Sequence, residues 1–408
     1  MSNYFTSFGF LVCFVLSVAA YRLLVARLTS SGARQRLLFA YNIVMLSLLG
    51  GLSWKAQGIF FGGVAVYVAL AVAGAAVLAR NKQVRYVYPL LTTIFLAVML
   101  LLKYPYYCNI LTFGAFMPQF GFLAWIGMSY MFFRSVDLLA FSANSTQGVS
   151  LLAATNYLLF FPAFVSGPIN RYRFFQAEAV KPPAPLSLDD VRDILFRFSV
   201  GVVKVLFVAN IFFKYSAINP ATPLTQLSFS QFVLSLICYF FYIYFNFSGY
   251  TDCAISCARA IGFTLPENFN YPLYARNIQN FWERWHISLS QWLRDYVFFN
   301  LMYKLKKNKI INDTFVATCV SIVFTFFIMG AWHGDSIGWI SYGLALSLGL
   351  LVTLVYGRIM DKHVPNMAAV RANVIYRIVC AVGTIGWVCV CLALTLDFTQ
   401  LAAMMRSW

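Results

Sequence analysis

Long apolar runs recur along the chain, separated by short segments that carry most of its polar and basic residues. Six runs are clean and of nearly membrane-spanning length: 5–20, 59–79, 87–102, 315–332, 337–356 and 378–396. Five more contain polar residues: 37–53, 120–141, 150–166, 194–213 and 228–247. A helix of roughly 20 apolar residues crosses the hydrocarbon core. The pattern predicts an all-α polytopic membrane protein of about eleven transmembrane helices, with re-entrant and amphipathic helices between them.

Composition and charge support the same class. Of the 408 residues, 61% are hydrophobic and 11% are charged, whereas soluble domains carry roughly 25% charged residues. Lys and Arg outnumber Asp and Glu by 30 to 13, for a net charge of +17, and they lie in short loops near 22–36, 80–85, 304–309 and 358–377. This is the positive-inside distribution. It predicts contact with lipid rather than nucleic acid, with the N-terminus outside and the first two of these loops in the cytoplasm.

The cysteines predict neither a metal site nor a disulfide framework. Nine of them are scattered through apolar segments without a CxxC pair, and no histidine lies near Cys253 and Cys257 in sequence. We assign them to packing. The first apolar run is followed by Arg22 and has no basic residue before it, the reverse of a signal peptide, so we expect it to remain as the first span.

One integral membrane domain over residues 1–408 is expected, because neither an internal repeat nor a flexible linker divides the chain. The longest polar stretch, 167–193, is interpreted as a solvent-exposed loop. Within it, Ser187 and Asp190 have the spacing of a capping box that leads into the 194–213 helix.

The segment 281–295, FWERWHISLSQWLRD, is too charged to span a membrane. Wound as a helix over 281–296, it places His286 in an apolar stripe and polar residues on the opposite face. The stripe contains Trp282, Trp285, His286, Leu289, Trp292, Leu293 and Tyr296, and the polar face contains Arg284, Ser288, Gln291 and Asp295. The pattern predicts an amphipathic helix at the interface or against the bundle. A histidine among tryptophans suits either a structural or a functional role.

His333 ends a long uncharged apolar segment and is flanked by Gly330 and Gly334. A neutral imidazole can accept a proton from a hydroxyl near physiological pH, and an ionisable group at membrane depth is a functional candidate. Two interpretations stand: a histidine that caps a helix end, and a general base beside a substrate tunnel. Asp335 would orient the imidazole if the chain turns there. The third histidine, His363, lies in a charged loop and is assigned to the surface.

Three other segments interrupt the apolar pattern. In 246–252, NFSGYTD, a small-residue break is followed by Asp252, which would cap a following helix or line the polar interior. The segment 265–272, LPENFNYP, has two prolines that exclude a continuous helix, and we expect it to shape the entry to the 281–296 helix. The segment 161–173 breaks another run and places two arginines beyond it, as interfacial anchors or as a grip on an anionic substrate.

Four segments follow the order and spacing of the membrane-bound O-acyltransferase (MBOAT) family, which the chain resembles from about residue 120 onward. They are 246–252, 265–270, 281–295 and 332–334, and FWERWHISLSQWLRD is the most specific. Within the family, the chain is most similar to the D-alanyl transferases of teichoic acid. It departs from the family pattern at 335–338, which precede Trp339, and at Leu346-Ser347, where other members often have His-Gly. These departures concern the specificity of the protein for its acceptor polymer.

The resemblance implies the MBOAT fold, with residues 1–105 as peripheral N-terminal spans, 120–360 as the catalytic core, and no bound cofactor or metal. His333 matches the catalytic histidine at the base of an outward-facing funnel. His286 matches the histidine that lines the tunnel from the cytoplasmic donor. The further lining candidates are Asn246, Asp252, Trp285, Ser288 and Trp332.

The same resemblance implies a donor and partners. The donor would be D-alanine thioesterified to the phosphopantetheine arm of a small acidic carrier protein, which the basic 304–309 segment suits. Its docking candidates are Val297, Phe298, Lys304, Lys306 and Lys307. A small membrane peptide or an extracytoplasmic transferase would be a further partner, and the bacterial plasma membrane the location.

Two alternatives to D-alanyl transfer stay open. One is O-acetyl transfer to alginate, peptidoglycan or another exopolysaccharide, since those enzymes share the same core motifs. The other is a non-enzymatic transporter or flippase. Transporters often show two related halves with interrupted helices, and this sequence shows neither feature.

Overall fold

The computed structural model describes residues 8–48, 54–81, 84, 86–103, 127–145, 148–334, 336–364 and 366–407. Within these ranges the chain is helical, and its β-structure is a single bridge between Phe269 and Trp285. The predicted all-α class is confirmed. The loop residues Lys82 and Arg85, and Asp335 after the second histidine motif, lie outside the described residues.

The helices are numbered along the chain. They are α1 Phe8–Ala26, α2 Ser31–Leu48, α3 Trp54–Arg80, α4 Val87–Lys103, α5 Met128–Asn144, α6 Leu151–Leu158, α7 Phe161–Phe164, α8 Tyr172–Ala179, α9 Leu188–Val203, α10 Ala209–Lys214, α11 Phe229–Ile261, α12 Ile278–Trp282, α13 Ile287–Leu293, α14 Phe299–Lys307, α15 Thr314–His333, α16 Ile337–His363, α17 Met367–Ala372, α18 Val374–Ala393 and α19 Phe398–Ser407. Wider π-helical turns join α9 to α10 (Lys204–Val208) and α13 to α14 (Arg294–Phe298).

Six helical segments in the described part of the chain are long and apolar enough to cross a membrane. They are Phe60–Arg80, Leu188–Lys214, Phe229–Ile261, Thr314–His333, Ile337–His363 and Val374–Ala393, with Cys13–Ala26 and Val87–Met99 as shorter apolar helices. The chain is a multi-pass membrane protein, but the predicted count of about eleven is not confirmed.

The prediction of a span at 150–166 is wrong. The structure has α6, of eight residues, and then α7, of one turn. Both are far shorter than the roughly 20 residues needed to cross a bilayer. Pro162 accounts for the interruption, because proline has no N–H to bond the preceding turn and is accommodated at the start of a new helix, where it lies in α7.

By its internal contacts the chain divides into two compact units, the first formed by Met1–Val202 and Gly249–Pro266, the second by Val203–Ser248 and Glu267–Trp408. In the first unit, Asp137 on α5 is 6% exposed. Its carboxylate pairs with Arg171 at 3.2 Å and accepts hydrogen bonds from the Tyr157 hydroxyl at 3.0 Å and the Tyr172 N–H at 2.7 Å. Arg171 is thus engaged inside the protein, as neither a surface anchor nor a grip on substrate.

The first unit also contains the predicted capping box. The Ser187 hydroxyl accepts a hydrogen bond from the Asp190 N–H at 3.1 Å, and the Asp190 carboxylate accepts from the N–H and the hydroxyl of Ser187 at 3.1 and 2.7 Å. These bonds satisfy backbone donors at the start of α9 that have no partner within the helix. This prediction is confirmed.

The predicted break at 246–252 is wrong, because α11 runs without interruption from Phe229 to Ile261. A Cβ on Gly201 of α9 would lie 2.7 Å from the Gly249 carbonyl oxygen. The small residues therefore serve a close approach of two helices rather than a break. Asp252 caps no helix. Its carboxylate forms an ion pair with Arg197 at 2.9 Å within the first unit.

In the second unit, α15 and α16 pack backbone against backbone. A Cβ on Gly330 would lie 3.3 Å from the Cα of Gly343 and would collide with the Trp339 carbonyl oxygen. Any larger side chain at these glycines would push the helices apart. This contact holds the last turn of α15, which ends in His333, beside the first turns of α16.

Candidate active site

His286 lies at a break between two short helices of the second unit. Its backbone is left-handed, with φ 43° and ψ 52°, a conformation that non-glycine residues seldom adopt. The predicted continuous helix over 281–296 is therefore wrong. The chain instead forms α12, leaves the helical conformation before His286, and forms α13 from Ile287 onward.

Asn268 explains the break. Its side-chain oxygen accepts hydrogen bonds from the N–H and the hydroxyl of Ser288 at 3.2 and 2.6 Å, and its carbonyl accepts from the Ile287 N–H at 3.0 Å. These are donors of the first turn of α13 that a continuous helix would have satisfied itself. An asparagine distant in sequence thus takes the place of a local cap. Ser288 was predicted on the polar face, but it is buried, and its hydroxyl is satisfied by Asn268.

The His286 side chain is 4% exposed, and the edge of its ring faces Phe247 at 4.6 Å between centroids. Among the described residues, its Nδ1 has no hydrogen-bond partner. Burial, and to a lesser degree the charge of His333, lowers the pKa of His286 well below its usual value. His286 is therefore neutral at physiological pH.

His333 is the last residue of α15 and is half-buried. Its ring stacks on Trp339 at 5.5 Å and contacts Trp332 at 4.5 Å and Tyr342 at 6.2 Å between centroids. Gly334 permits the stacking, because a Cβ there would collide with the Trp339 indole. The imidazole is thus held between aromatic side chains and stays partly exposed.

Trp285 belongs to an aromatic wall under His286. Its indole stacks on Phe281 at 5.3 Å and on Phe240 at 5.7 Å. The predicted apolar stripe is largely confirmed, since Trp285, His286, Leu289, Trp292 and Leu293 are all buried, with Trp282 and Tyr296 half-buried. Asn246, one residue before Phe247, is half-buried on α11.

A cavity of about 540 Å³ lies in the second unit, within the size range of small-molecule sites. Its apolar lining is Trp282, Ile287, Leu293, Phe298, Ile322, Phe326, Met329, Leu350 and Leu354, and its polar lining is Gln279, Glu283, Ser290, Gln291, Arg294, Thr318 and Thr325. Met329 lies one helical turn before His333. The indole N–H of Trp282 has no hydrogen-bond partner among the described residues.

The sequence predictions located this cavity only in part. Phe298 lines it. The other predicted site residues are not among its lining residues, and these include both histidines, His286 and His333. Among the residues that the structure describes, no three His, Cys, Asp or Glu side chains are grouped so as to hold a metal ion.

The family model described as MBOAT, membrane-bound O-acyltransferase family, matches residues 120–396, about two thirds of the chain. The chain belongs to the membrane-bound O-acyltransferase family. This confirms the resemblance drawn from the two histidine motifs, and with it the predicted membership of a family of acyltransferases.

The chain is similar to family members that are named after three different acceptors: teichoic acid, alginate and peptidoglycan. The chain is 32% identical over 234 residues to the teichoic acid D-alanyltransferase of Bacillus subtilis (strain 168), covering 56% of this chain and 58% of that protein. It is 30% identical over 231 residues to the probable alginate O-acetylase AlgI of Azotobacter vinelandii (55% and 45%). It is 32% identical over 217 residues to the peptidoglycan O-acetyltransferase of Helicobacter pylori (strain ATCC 700392 / 26695; 53% and 40%). The matches span less than three fifths of these relatives.

The residues predicted to dock a carrier protein lie on consecutive turns after α13. Val297 and Phe298 are half-buried in the π-helical turn, and Lys304 and Lys307 are exposed at the end of α14. Lys306 differs, because its ammonium donates hydrogen bonds to the Asn312 carbonyl at 2.6 Å and the Thr314 hydroxyl at 2.9 Å. It therefore fixes the turn that leads into α15.

Asn268 is the site residue that the sequence analysis missed. It lies within LPENFNYP, which was assigned only to shaping the entry of the next helix. An asparagine in a proline-bounded turn is a recognisable capping candidate. Nothing local, however, indicates that it caps a helix some twenty residues further along the chain.

Proposed function

We propose that this protein transfers a D-alanyl group from a phosphopantetheine thioester on a small acidic carrier protein to a hydroxyl of a teichoic-acid-like polymer outside a bacterial plasma membrane. The single observation that carries the proposal is the placement of the cavity and the two histidines in one unit. A cavity large enough for an extended acyl arm is lined by Met329, one helical turn before a half-exposed imidazole, His333.

The cavity walls suit a pantetheine arm, which is a flexible chain with amide groups. Most of the lining is apolar, and the unpartnered Trp282 N–H can donate a hydrogen bond to an amide carbonyl of the arm. Ser290, Gln291 and Thr325 supply further polar contacts. A few polar groups in an apolar pocket are typical of sites that orient one ligand.

In this proposal, His333 acts as the general base. Its imidazole accepts the proton of the acceptor hydroxyl as the oxygen attacks the thioester carbonyl carbon. The carbon–oxygen bond forms, the carbon–sulfur bond breaks, and the proton passes to the leaving thiolate. Aromatic neighbours Trp332 and Trp339 shield the ring from bulk water, which limits hydrolysis of the thioester.

His286 has a different role in this proposal. Its burial and lowered pKa disfavour the imidazolium that a general base must become. We assign it to the wall of the donor path, where a neutral ring and its unpartnered Nδ1 can hydrogen-bond a passing group. Asn268 and Ser288 position it by fixing the start of α13, directly after His286.

O-acetyl transfer is the second candidate. The observation that favours it is the similar identity of this chain to an alginate O-acetylase and a peptidoglycan O-acetyltransferase, at 30% and 32%. The same two histidines and the same apolar cavity would serve either acyl group. The donor and the acceptor therefore decide between the two reactions.

A comparison of labelled donors tests the proposal. The purified protein in vesicles would receive carrier protein loaded with labelled D-alanine or with labelled acetate, with lipoteichoic acid, alginate or peptidoglycan on the opposite side. We expect D-alanyl label on lipoteichoic acid at a rate at least about tenfold above acetyl label on any polymer, because a tenfold preference needs only about 1.4 kcal/mol of differential transition-state binding. Acetyl label on alginate or peptidoglycan would establish the second candidate instead.

Charge reversal at the proposed carrier-docking surface, Lys304 and Lys307 with exposed Phe299 and Tyr303, gives a second expected result. The double variant Lys304→Glu, Lys307→Glu should raise the KM for an acidic carrier about tenfold at low salt and leave kcat within about twofold, because rim charges act mainly on encounter. The effect should shrink at high salt, where exposed charges are screened. Transfer rates measured against carrier concentration at two salt concentrations provide the check.

Lys362→Glu is the matched control, because it reverses an exposed lysine at the end of another helix, α16. It should leave the KM for the carrier unchanged. An equal rise of KM in Lys362→Glu would show a general charge effect, and an unchanged KM in the double variant would remove the docking assignment.

A further inference from the structure

Glu283 places a carboxylate on the wall of the 540 Å³ cavity. The carboxylate is held in one orientation, because it accepts hydrogen bonds from the side-chain amides of Gln279 at 3.2 Å and Asn280 at 3.0 Å. A carboxylate has about four acceptor positions on its two oxygens. The two amides leave acceptor positions for a ligand in the cavity.

No cationic side chain in the described part of the chain pairs with Glu283. The neighbouring Arg284 instead donates to the Asn280 side-chain oxygen at 3.1 Å and the Asn270 carbonyl at 3.1 Å. Arg294, the cation that lines the cavity, pairs with Asp295 at 3.1 Å. Glu283 is itself exposed, so its carboxylate meets the cavity at a solvent-accessible part of the wall, and no cation of the described residues fills its remaining acceptor positions.

The position of Glu283 in its helix does not favour a charge, although two amides of the same helix bind the carboxylate. It is the residue that follows the last turn of α12, and the negative end of a helix dipole disfavours a carboxylate there. Other acids without a cation lie at favourable helix positions. The Asp313 side chain, for example, accepts a hydrogen bond from the Val316 N–H at 2.8 Å and caps α15.

We propose that Glu283 selects an acyl group that carries a cationic α-ammonium, by pairing its carboxylate with that ammonium as the thioester lies in the cavity. The inference rests on the proposed function, which routes the donor through this cavity, and it names the class of acyl group: aminoacyl rather than neutral acyl. An α-amino group has a pKa near 8, so it is protonated at neutral pH.

The expected preference comes from the Glu283 carboxylate, which can form a charge-assisted hydrogen bond with an aminoacyl group and no hydrogen bond with a neutral acyl group. An ammonium beside the Glu283 carboxylate gains such a bond. An acetyl or propionyl group offers the carboxylate nothing, and the carboxylate must give up water to accommodate it. A site built for a donor group rejects a ligand that lacks the group.

A binding measurement with unreactive ligands tests the proposal. The two probes are phosphopantetheine analogues that carry D-alanyl or propionyl through an amide in place of the thioester, so that they differ only by the amino group. Titration calorimetry of the protein in detergent gives the two values of Kd. We expect the wild-type protein to bind the D-alanyl analogue about 3- to 30-fold more tightly, the range of a partly solvated charge-assisted hydrogen bond.

Glu283→Gln removes the charge and keeps the shape, and it should bring the ratio of the two Kd values close to one. Glu283→Asp keeps the charge and should retain part of the preference. Asp313→Asn is the matched control, because it removes one negative charge outside the cavity and still supplies a capping residue. Its ratio should match that of the wild-type protein. Equal Kd values in the wild-type protein, or an unchanged ratio in Glu283→Gln, would overturn the proposal.

This measurement separates the inference from the proposed function. A preference for the D-alanyl analogue that disappears in Glu283→Gln supports the aminoacyl site whether or not label reaches a polymer. Transfer of D-alanyl label by a protein whose Kd ratio is one supports the proposed function and removes Glu283 from it.

Discussion

Replacement of His333 by alanine is expected to abolish acyl transfer and to leave the protein folded. The general base of a group transfer typically contributes about 10²- to 10⁴-fold to the rate, so the variant should fall at least about 100-fold. His333 ends α15 and is half-buried, so the truncation removes aromatic contacts at a helix end rather than a side chain from the centre of the core. The rate of D-alanyl transfer in vesicles, with a thermal melting curve of the same sample, measures both effects.

His363→Ala is the matched control for this variant. His363 is the exposed last residue of α16, and its removal should leave the transfer rate within about twofold, since isolated surface substitutions have small effects. A His333→Ala protein that melts like the wild type and transfers at full rate would remove the general-base assignment. A protein that still moved substrate across the membrane without acyl transfer would favour the transporter class.

The sequence predicted those features that depend on neighbouring residues. The capping box of Ser187 and Asp190 follows from a three-residue spacing, and the structure confirms it. The buried stripe around Trp285 and His286 follows from helical periodicity, and its burial is confirmed even though the helix is broken into α12 and α13. The family follows from a motif too long to arise by chance.

The errors arose where distant residues override a local pattern. The helix break at His286 is accompanied by Asn268, which supplies hydrogen bonds that a continuous helix would form within itself. The small residues of α11 near Gly249 lie against Gly201 of another helix, so they form a helix contact rather than the break that their sequence suggests. Periodicity within one segment contains no information on either partner.

The cavity could not be predicted for a related reason. Its walls come from α12, α13 and the π-helical turn after it, and from α15 and α16, which are separated in sequence. Glu283 illustrates the difficulty. In the sequence it is one charged residue within an aromatic motif, and only the positions of Arg284 and Arg294 in the structure show that no cation pairs with it.

Asp137→Ala is expected to give the largest loss of stability among single substitutions of acidic residues in the first unit. Removal of one partner of a buried ion pair lowers the free energy of unfolding by about 3 to 5 kcal/mol. Here the Tyr157 hydroxyl and the Tyr172 N–H would also lose their acceptor. The melting midpoint in detergent should fall by roughly 10 °C, at about 2 to 4 °C per kcal/mol for a unit of this size.

Asp189→Ala is the matched control, because Asp189 also pairs with an arginine, Arg192, at 3.3 Å, but both side chains are largely exposed. An exposed pair contributes about 0 to 1 kcal/mol, so the midpoint should move by no more than a few degrees. Equal shifts in the two variants would contradict the structural role of Asp137.

The contrast between Asp137 and Glu283 also limits the rule that an ionisable residue within an apolar helix marks a functional site. Asp137 has its hydrogen bonds filled by its own fold, whereas Glu283 lies on a cavity wall and has no cationic partner among the described residues. For such carboxylates, acceptor positions that face a cavity indicate a ligand more than the charge itself does.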